Sequence, residues 1–262
     1  MVRSHPGLAK LPLIGGLLAL VAVIVVVVPG VALTTADADS IRAVGYVLIA
    51  LGSYLASFVV IYHNVILAAA ANDALEGREP DVAAARSIAR HRIPVIAGWA
   101  LVSALVSVAF SILRDRGGAA GRIAASLGSA IWGLVTFLVI PVLALEGIGP
   151  VAAIKRSANL FRQRWGQQVT GNLVIGGISG IATIVGIIIA VIGVVMVAGA
   201  TTGGVVIGGV LIVLGLVVAV AAAVFGGATR GVFGVALYHF VAEDRAVGPF
   251  TVTDLESAAT TR

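Results

Sequence analysis

Cysteine is absent from the 262-residue chain, which excludes disulfide bonds, thiolate metal sites and cysteine nucleophiles. Charged residues are scarce as well, at 11% against about 25% in soluble domains. Aromatic residues make up only 6%, so the 60% hydrophobic fraction is mainly aliphatic and the mean hydropathy is +1.11. So few charges cannot cover a folded chain of this size in water. Lipid must therefore solvate much of the surface.

Six apolar segments are long enough to cross a bilayer as helices, which takes about 20 residues each. The 18 uncharged residues up to Val28 exceed a signal-peptide core of about 7–15, so we expect the first to be retained. Beyond the sixth, the chain stays apolar to Val241, and we expect a tilt, a kink at Gly226-Gly227 or an interfacial end. These features predict an all-α polytopic membrane helix bundle, one integral membrane domain over residues 1–262. The predicted spans are about Leu11–Leu33, Ala43–Ala71, Pro94–Leu113, Ile123–Leu145, Val169–Ala198 and Gly203–Val224.

The basic residues are distributed unevenly between the two sides of this arrangement. Thirteen of the seventeen Lys and Arg residues lie on the side of the termini, and four lie on the other. Cytoplasmic loops carry such an excess, so we expect a multi-pass protein of the cytoplasmic membrane with both termini in the cytoplasm. The Lys and Arg excess in the cytoplasmic loops then explains the net charge of +5. We therefore predict no nucleic-acid partner.

An internal duplication links two of the loops. At a constant offset of 70, the residues from Leu75 (LEGREPDVAAARSIARHR) match those from Leu145 (LEGIGPVAAIKRSANLFR) at eight of eighteen positions. Each copy ends a span with Glu-Gly and continues as a basic amphipathic helix. This predicts a parallel hairpin repeat of about 70 residues with two cytoplasmic interfacial helices. The units are roughly 11–92 and 93–166, and membership of the third hairpin, 167–262, is left open.

The second amphipathic segment carries an apolar stripe formed by Val151, Ile154, Ala158, Phe161 and Trp165. Basic side chains flank this stripe. Such helices lie in the membrane interface, with apolar residues at the acyl boundary and cations at anionic headgroups. The residues predicted to contact headgroups are Arg86, Arg90, Arg92, Lys155, Arg156, Arg162, Arg164 and Trp165.

Five polar residues lie in or beside the predicted spans, where polar groups are expensive. For His63 and Asn64, we favour hydrogen bonds between helices over a ligand site. We expect Arg230 to extend to the inner interface. Glu76 and Glu146 end their spans in equivalent places; they could accept hydrogen bonds from the start of the next helix or hold a cation or proton. We favour the first interpretation and keep the second open.

Three small-residue motifs predict close helix packing. They could act within the chain or in a homo-oligomer, and both interpretations stay open. The motifs are Gly176-x-x-x-Gly180, Gly204-x-x-x-Gly208 and Gly227-x-x-x-Gly231.

The stretch 132–166 resembles an uncharacterised prokaryotic membrane family, known as a domain of unknown function. The resemblance rests on Trp132, residues 136–146 (TFLVIPVLALE), Lys155-Arg156-Ser157 and Trp165-Gly166. More distantly, the repeated hairpins look like the membrane domain attached to some glycerophosphodiester phosphodiesterases. The resemblance implies a six-helix fold and no established activity.

The sequence contains no G-x-S-x-G, H-E-x-x-H or P-loop motif and no histidine pair spaced for a metal. We therefore predict no catalytic, cofactor-binding or metal-binding residue. The leading hypothesis is a non-enzymatic membrane protein whose basic helices engage anionic lipid or a cytosolic partner. The alternative is a small transporter with a polar site at the interface between hairpin repeats, near His63 and Asn64. A polar cavity reaching the middle of the membrane would favour the transporter. A membrane-embedded lipid enzyme is a third hypothesis.

Overall fold

The computed structural model describes residues 6–163, 165–199 and 202–248, and within these ranges it contains helices and no strand. A π-helical segment, Val23–Val27, joins the first two helices, just before Pro29, which has no N–H to donate. The helices are α1 (Pro6–Ala22), α2 (Val28–Leu33), α3 (Asp39–Leu75), α4 (Val82–His91), α5 (Ile93–Arg116), α6 (Gly118–Val135), α7 (Val139–Leu145), α8 (Pro150–Gln163), α9 (Trp165–Ala198) and α10 (Thr202–Ala242).

Six segments of the described chain are long and apolar enough to cross a membrane, which confirms the predicted bundle of six spans. They pair as three hairpins: α1 and α2 with α3, α5 with α6, and α9 with α10. Helix α3 is central because it also contacts α4, α5, α7 and α10. The spans are Lys10–Leu33, Asp39–Leu75, Ile93–Arg116, Gly118–Leu145, Gly180–Ala198 and Gly203–Ala242.

Exposed apolar side chains form a belt around the hairpins. On α3 the exposed large apolar residues run from Ile41 to Val60, and on α10 they run from Val205 to Phe225. At 1.5 Å per residue each stretch is about 30 Å long, the thickness of a bilayer's hydrocarbon core. On α1 the exposed stretch begins at Ile14. We call this surface the lipid belt, and its edge at Ile14, Val60 and Phe225 the inner rim.

Close contacts between helices fix the relative depths of the three rim residues. A Cβ at Gly15 would lie 2.8 Å from the Cβ of His63, so α1 meets α3 one residue from Ile14. A Cβ at Gly231 would lie 2.6 Å from Leu67 Cδ2. Helix α10 therefore meets α3 six residues after Phe225 on α10 and seven residues after Val60 on α3. Val60 and Phe225 therefore lie at nearly the same depth, and Ile14 lies about 6 Å nearer the C-terminal end of α3.

Beyond the inner rim the chain packs against itself instead of against lipid. Residues 65–71 of α3, 232–241 of α10 and 141–144 of α7 are all buried, and they form most of the hydrophobic core. We call this region the packed end. Helix α10 passes through Gly226-Gly227 without interruption, so the helix is not broken there, and the expected tilt, kink or interfacial end stays a prediction. Residues 232–241 are mostly apolar because they enter a protein core.

Glycines hold the third hairpin together within the lipid belt. Gly186 and Gly193 of α9 face Gly215 and Gly208 of α10, and a Cβ at any of the four would collide with backbone of the other helix. The glycines on each helix are seven residues apart. Gly208 is the only one of these four that belongs to a predicted G-x-x-x-G motif. A Cβ at Gly180 would meet no atom within 4 Å, and the homo-oligomer stays a prediction.

The remainder of α9 in the belt faces outward. A broad face of large apolar side chains is exposed between residues 181 and 195, with exposed fractions from 46% to 66%. Along this stretch, α10 is the helix against which α9 packs. The third hairpin therefore projects into lipid as a two-helix arm. The exposed residues are Ile181, Ile184, Val185, Ile187, Ile188, Val191, Ile192, Val194 and Val195.

Candidate functional site

The two Glu-Gly pairs of the duplication end their helices in the same backbone conformation. Gly77 has a φ of +78° and Gly147 has a φ of +68°, both in the left-handed region that glycine adopts readily. Glu76 ends α3 and Glu146 ends α7, so each carboxylate lies at a sharp corner of the packed end. Because helix α10 ends nearby, both corners have partners on it or just after it.

Glu146 connects α7 to both α8 and α10. Its Oε1 accepts hydrogen bonds from Nε of Arg156, at 2.9 Å, and from the hydroxyl of Tyr238, at 2.8 Å. The hydrogen bond that Arg156 donates to this carboxylate raises the pKa of the arginine above its usual value. Glu146 thus holds the following helix through an arginine side chain, and its bond to Tyr238 spans 92 residues of sequence.

Glu76 occupies the corresponding corner but uses different partners. It pairs with Arg78 and, at 3.0 Å, with Arg245, while Arg78 also binds Asp73 at 2.6 Å. Burial opposes ionisation of Glu76, but hydrogen bonds from the two arginines outweigh it and lower the pKa of the carboxyl. The N-terminus of α4 is capped by Asp81, whose Oδ1 accepts hydrogen bonds from the backbone N–H groups of Ala83 and Ala84. Neither corner glutamate therefore has the predicted bonds to the start of the following helix.

The lowered pKa of Glu76 predicts a pH dependence of stability. A carboxyl whose pKa is lower when folded contributes stability above its unfolded pKa, near 4.5, and loses it as the pH falls through the folded pKa. We expect Glu76→Gln to flatten the loss of thermal stability below about pH 4.5. Melting temperatures of the purified protein between pH 3 and 7 would measure this. Glu79→Gln, an exposed neighbour without an ion pair in the described chain, should keep the wild-type profile; equal flattening by both variants would contradict the prediction.

A buried histidine joins α10 to α3 at the same end. The His239 side chain is only 4% exposed; its Nδ1 donates to the Glu243 carboxylate at 2.7 Å, and its Nε2 lies 2.6 Å from Oδ1 of Asn72. Glu243 in turn pairs with Arg245, so the histidine belongs to the same network as Glu76. Sequence reasoning passed over Asn72 and Glu243. The four-residue spacing of His239 and Glu243 on one helix was the available signal.

A histidine with a carboxylate on Nδ1 resembles the base and orienting acid of a catalytic triad. Here the second nitrogen is occupied by Asn72, and the ring is enclosed by protein. Both nitrogens of His239 therefore have structural partners among the described residues. The arrangement fixes α10 against α3.

The residues predicted to contact lipid headgroups divide into three groups. Arg92 donates to the last carbonyls of α7, and Arg156 pairs with Glu146, so both serve contacts within the protein. Burial lowers the pKa of Arg92. Arg164 and the side chain of Trp165 lie outside the described residues. The exposed cations are Arg86, Arg90, Lys155 and Arg162.

Three of the predicted intramembrane polar residues meet around two adjoining cavities at the inner rim. The first cavity, about 400 Å³, lies between α1, α3 and α10 and is lined by His63 and Asn64. The second, about 140 Å³, is lined by Arg230 and extends to α7. Asn64 and Gly227 line both cavities. Nδ1 of His63 lies 2.8 Å from the Val59 carbonyl of its own helix.

Arg230 lies on α10 just beyond the inner rim of the lipid belt. It follows Phe225, at the inner rim, by five residues or about 8 Å of helix. Its side chain is exposed, and no residue in the described part of the chain forms an ion pair or hydrogen bond with it. The position avoids the cost of a charge in hydrocarbon and leaves the guanidinium free to bind an anion.

The profile of a family of unknown function, DUF6159, matches residues 43–248. The chain belongs to this family. The matched range begins early in α3 and includes both corners, the His239 network and the second rim cavity, whereas the α1 side of the first rim cavity lies before it. No curated protein and no solved structure matches the chain. Membership of an uncharacterised membrane family is thus confirmed, whereas the distant likeness to glycerophosphodiester phosphodiesterases stays a prediction.

Proposed function

We propose that the protein is a non-enzymatic membrane protein that engages anionic lipid headgroups through the basic helices α4 and α8. The observation that carries the proposal is the set of exposed cations on these helices, which the corner ion pairs leave unused. In the proposed topology the packed end is cytoplasmic, because most Lys and Arg residues lie there. Anionic lipids concentrate in that leaflet and attract basic segments by about 1 kcal/mol per cation.

The position of α8 supports an interfacial role. Its first residue, Pro150, packs against Gly98 of the span α5, with its Cγ 3.1 Å from the Cβ that Gly98 lacks. Helix α8 buries Ala153, Ser157 and Leu160 against the bundle. The predicted apolar stripe lies on a neighbouring face, where Val151 is 60% exposed. That face could therefore enter the acyl boundary while the cations meet headgroups.

The transporter is the second candidate, because His63 and Asn64 line a cavity between hairpins. The cavity's lining is mainly apolar, and its outermost residues are Leu20 and Val220. These lie five or six residues beyond the inner rim, so the cavity enters the lipid belt by only about 8 Å. A cavity of this shape favours lipid over a transported polar solute.

Charge reversal tests the proposal. We expect the triple variant Arg90→Glu, Lys155→Glu and Arg162→Glu to reduce anionic-lipid enrichment at least twofold. The reason is that three attractive charges become repulsive at the headgroup surface. The measurement is the composition of lipid extracted with the protein in polymer-bounded nanodiscs, compared with that of the whole membrane.

The matched control reverses three exposed arginines at the opposite end, Arg114, Arg116 and Arg122. This variant has the same change in net charge and should keep wild-type enrichment. Unchanged enrichment in the first variant, or an equal loss in both, would count against the proposed function.

A further inference from the structure

We infer that the two rim cavities together form a binding site for one anionic phospholipid. Its phosphate binds at Arg230 and Asn64, and an acyl chain follows the groove between α1 and α10. The site is separate from the exposed cations of α4 and α8, so the inference does not depend on the proposed function. It assigns a ligand to Arg230, which the fold otherwise leaves without a role.

The first cavity has the surface that an acyl chain requires. Leu13, Leu17 and Leu20 line it from α1, and Val220 and Val224 line it from α10. It opens sideways into the lipid belt, since Leu17 is 50% exposed, Leu20 is 51% exposed and Val220 is 43% exposed. Its lining extends over nine residues of α1, from Pro12 to Leu20, or about 12 Å of helix. A lipid could enter from the bilayer without leaving the hydrocarbon.

The second cavity has the charge that a phosphate requires. The guanidinium of Arg230 can donate two parallel hydrogen bonds to phosphate oxygens. The Asn64 amide adds a donor at the junction of the cavities and has no hydrogen-bond partner in the described chain. No Asp or Glu is among the described residues lining either cavity. The electrostatic balance of the site therefore favours an anion.

Depth and continuity favour a lipid over free phosphate. Arg230 lies about 8 Å beyond Phe225 at the rim, where headgroups lie. The apolar groove extends from the same point in the opposite direction, and Asn64 and Gly227 border both compartments. A molecule with a charged head and an apolar chain fills both, whereas inorganic phosphate leaves the larger one empty.

Native mass spectrometry of the purified full-length protein tests the site. Phosphatidylglycerol, phosphatidylcholine and inorganic phosphate serve as separate probes. We expect one phosphatidylglycerol to bind more tightly than phosphatidylcholine, and inorganic phosphate not to displace it. Arg230→Gln should weaken binding about 10- to 100-fold, the loss expected for a charge-assisted hydrogen bond.

Filling the groove tests its acyl part independently of charge. A side chain at Gly16, which lines the first cavity, meets no atom within 4 Å of its Cβ, so Gly16→Leu should fold and still reduce binding. Gly209→Leu is the matched control, because its Cβ also meets nothing but faces lipid on the third hairpin. We expect it to bind like wild type.

Several results would overturn the inference. They are wild-type affinity in Arg230→Gln, equal affinity for the two lipids, displacement by inorganic phosphate, or equal effects of the two glycine variants. The triple charge reversal on α4 and α8 should retain the single bound lipid. If that variant loses bulk anionic enrichment and keeps this lipid, the two proposals are separated, and either one can then fail alone.

Discussion

Gly193→Leu is expected to destabilise the third hairpin by about 3 kcal/mol or more, the upper end of the cost of overpacking. The Cβ at this position would lie 2.6 Å from the carbonyl oxygen of Gly208 and 2.7 Å from the backbone N of Ile212. Both are backbone atoms, so the clash is relieved only by separating α9 from α10. Within the part of the chain that the structure describes, the outer face of α9 between residues 181 and 195 is exposed, so no other helix holds the arm there. Thermal unfolding of the purified protein in detergent would measure the loss.

Gly209→Leu is the control for this substitution. It lies on the same hairpin and introduces the same side chain, but its Cβ meets no atom within 4 Å. We expect its melting temperature to stay close to that of wild type. Similar losses in both variants would show that leucine lowers stability in this arm whatever the packing, and that the glycine contacts do not hold it.

His239→Leu is expected to destabilise the packed end by about 2–3 kcal/mol. Leucine keeps the apolar volume of a side chain that is only 4% exposed but removes both hydrogen bonds. Asn72 then loses its partner in a largely buried position, which costs about 1–3 kcal/mol. Glu243 loses less, because Arg245 still pairs with it at 3.2 Å. Denaturant or thermal unfolding would measure the change.

A double-mutant cycle with Asn72→Leu separates the hydrogen bond from general packing. We expect the double variant to cost less than the sum of the single variants by about 1 kcal/mol, because the bond is lost only once. His91→Leu is the matched control, since His91 is exposed and bonds only the Ser87 carbonyl of its own helix. Strict additivity in the cycle would contradict the proposed link between α3 and α10.

The number of spans could be predicted because 20 consecutive apolar residues have few alternatives to crossing a bilayer. The end of the sixth span could not. Apart from Thr229, Arg230 and His239, residues 226–241 are as apolar as the belt itself. An apolar side chain can be buried in lipid or in a protein core. Only the contacts with α3 and α7 show that most of these residues pack against protein. The structure thus distinguishes burial in protein from exposure to lipid, and the hydrophobicity of the sequence does not.

The candidate site, too, could be predicted only in part from the sequence. The equivalence of Glu76 and Glu146 was visible as a repeat, and so was the arginine that pairs with Glu146. The repeat did not reveal that Arg86 stays exposed while its counterpart Arg156 is bonded, because that depends on Tyr238 and Arg245 beyond the matched segments. The meeting of His63 and Asn64 with Arg230 depends on the register of α10 against α3, which no local pattern specifies.

The third hairpin also bears on how the protein responds to bilayers of different thickness. Its arm is anchored at the packed end and sits in the lipid belt held mainly by its own glycine contacts. A pair of helices joined in this way can change its tilt as a unit without disturbing the core, and tilting costs only a fraction of a kcal/mol per Å of mismatch. The packed end keeps its geometry while the arm adapts, so the rim residues should remain at headgroup depth in thin and thick membranes alike.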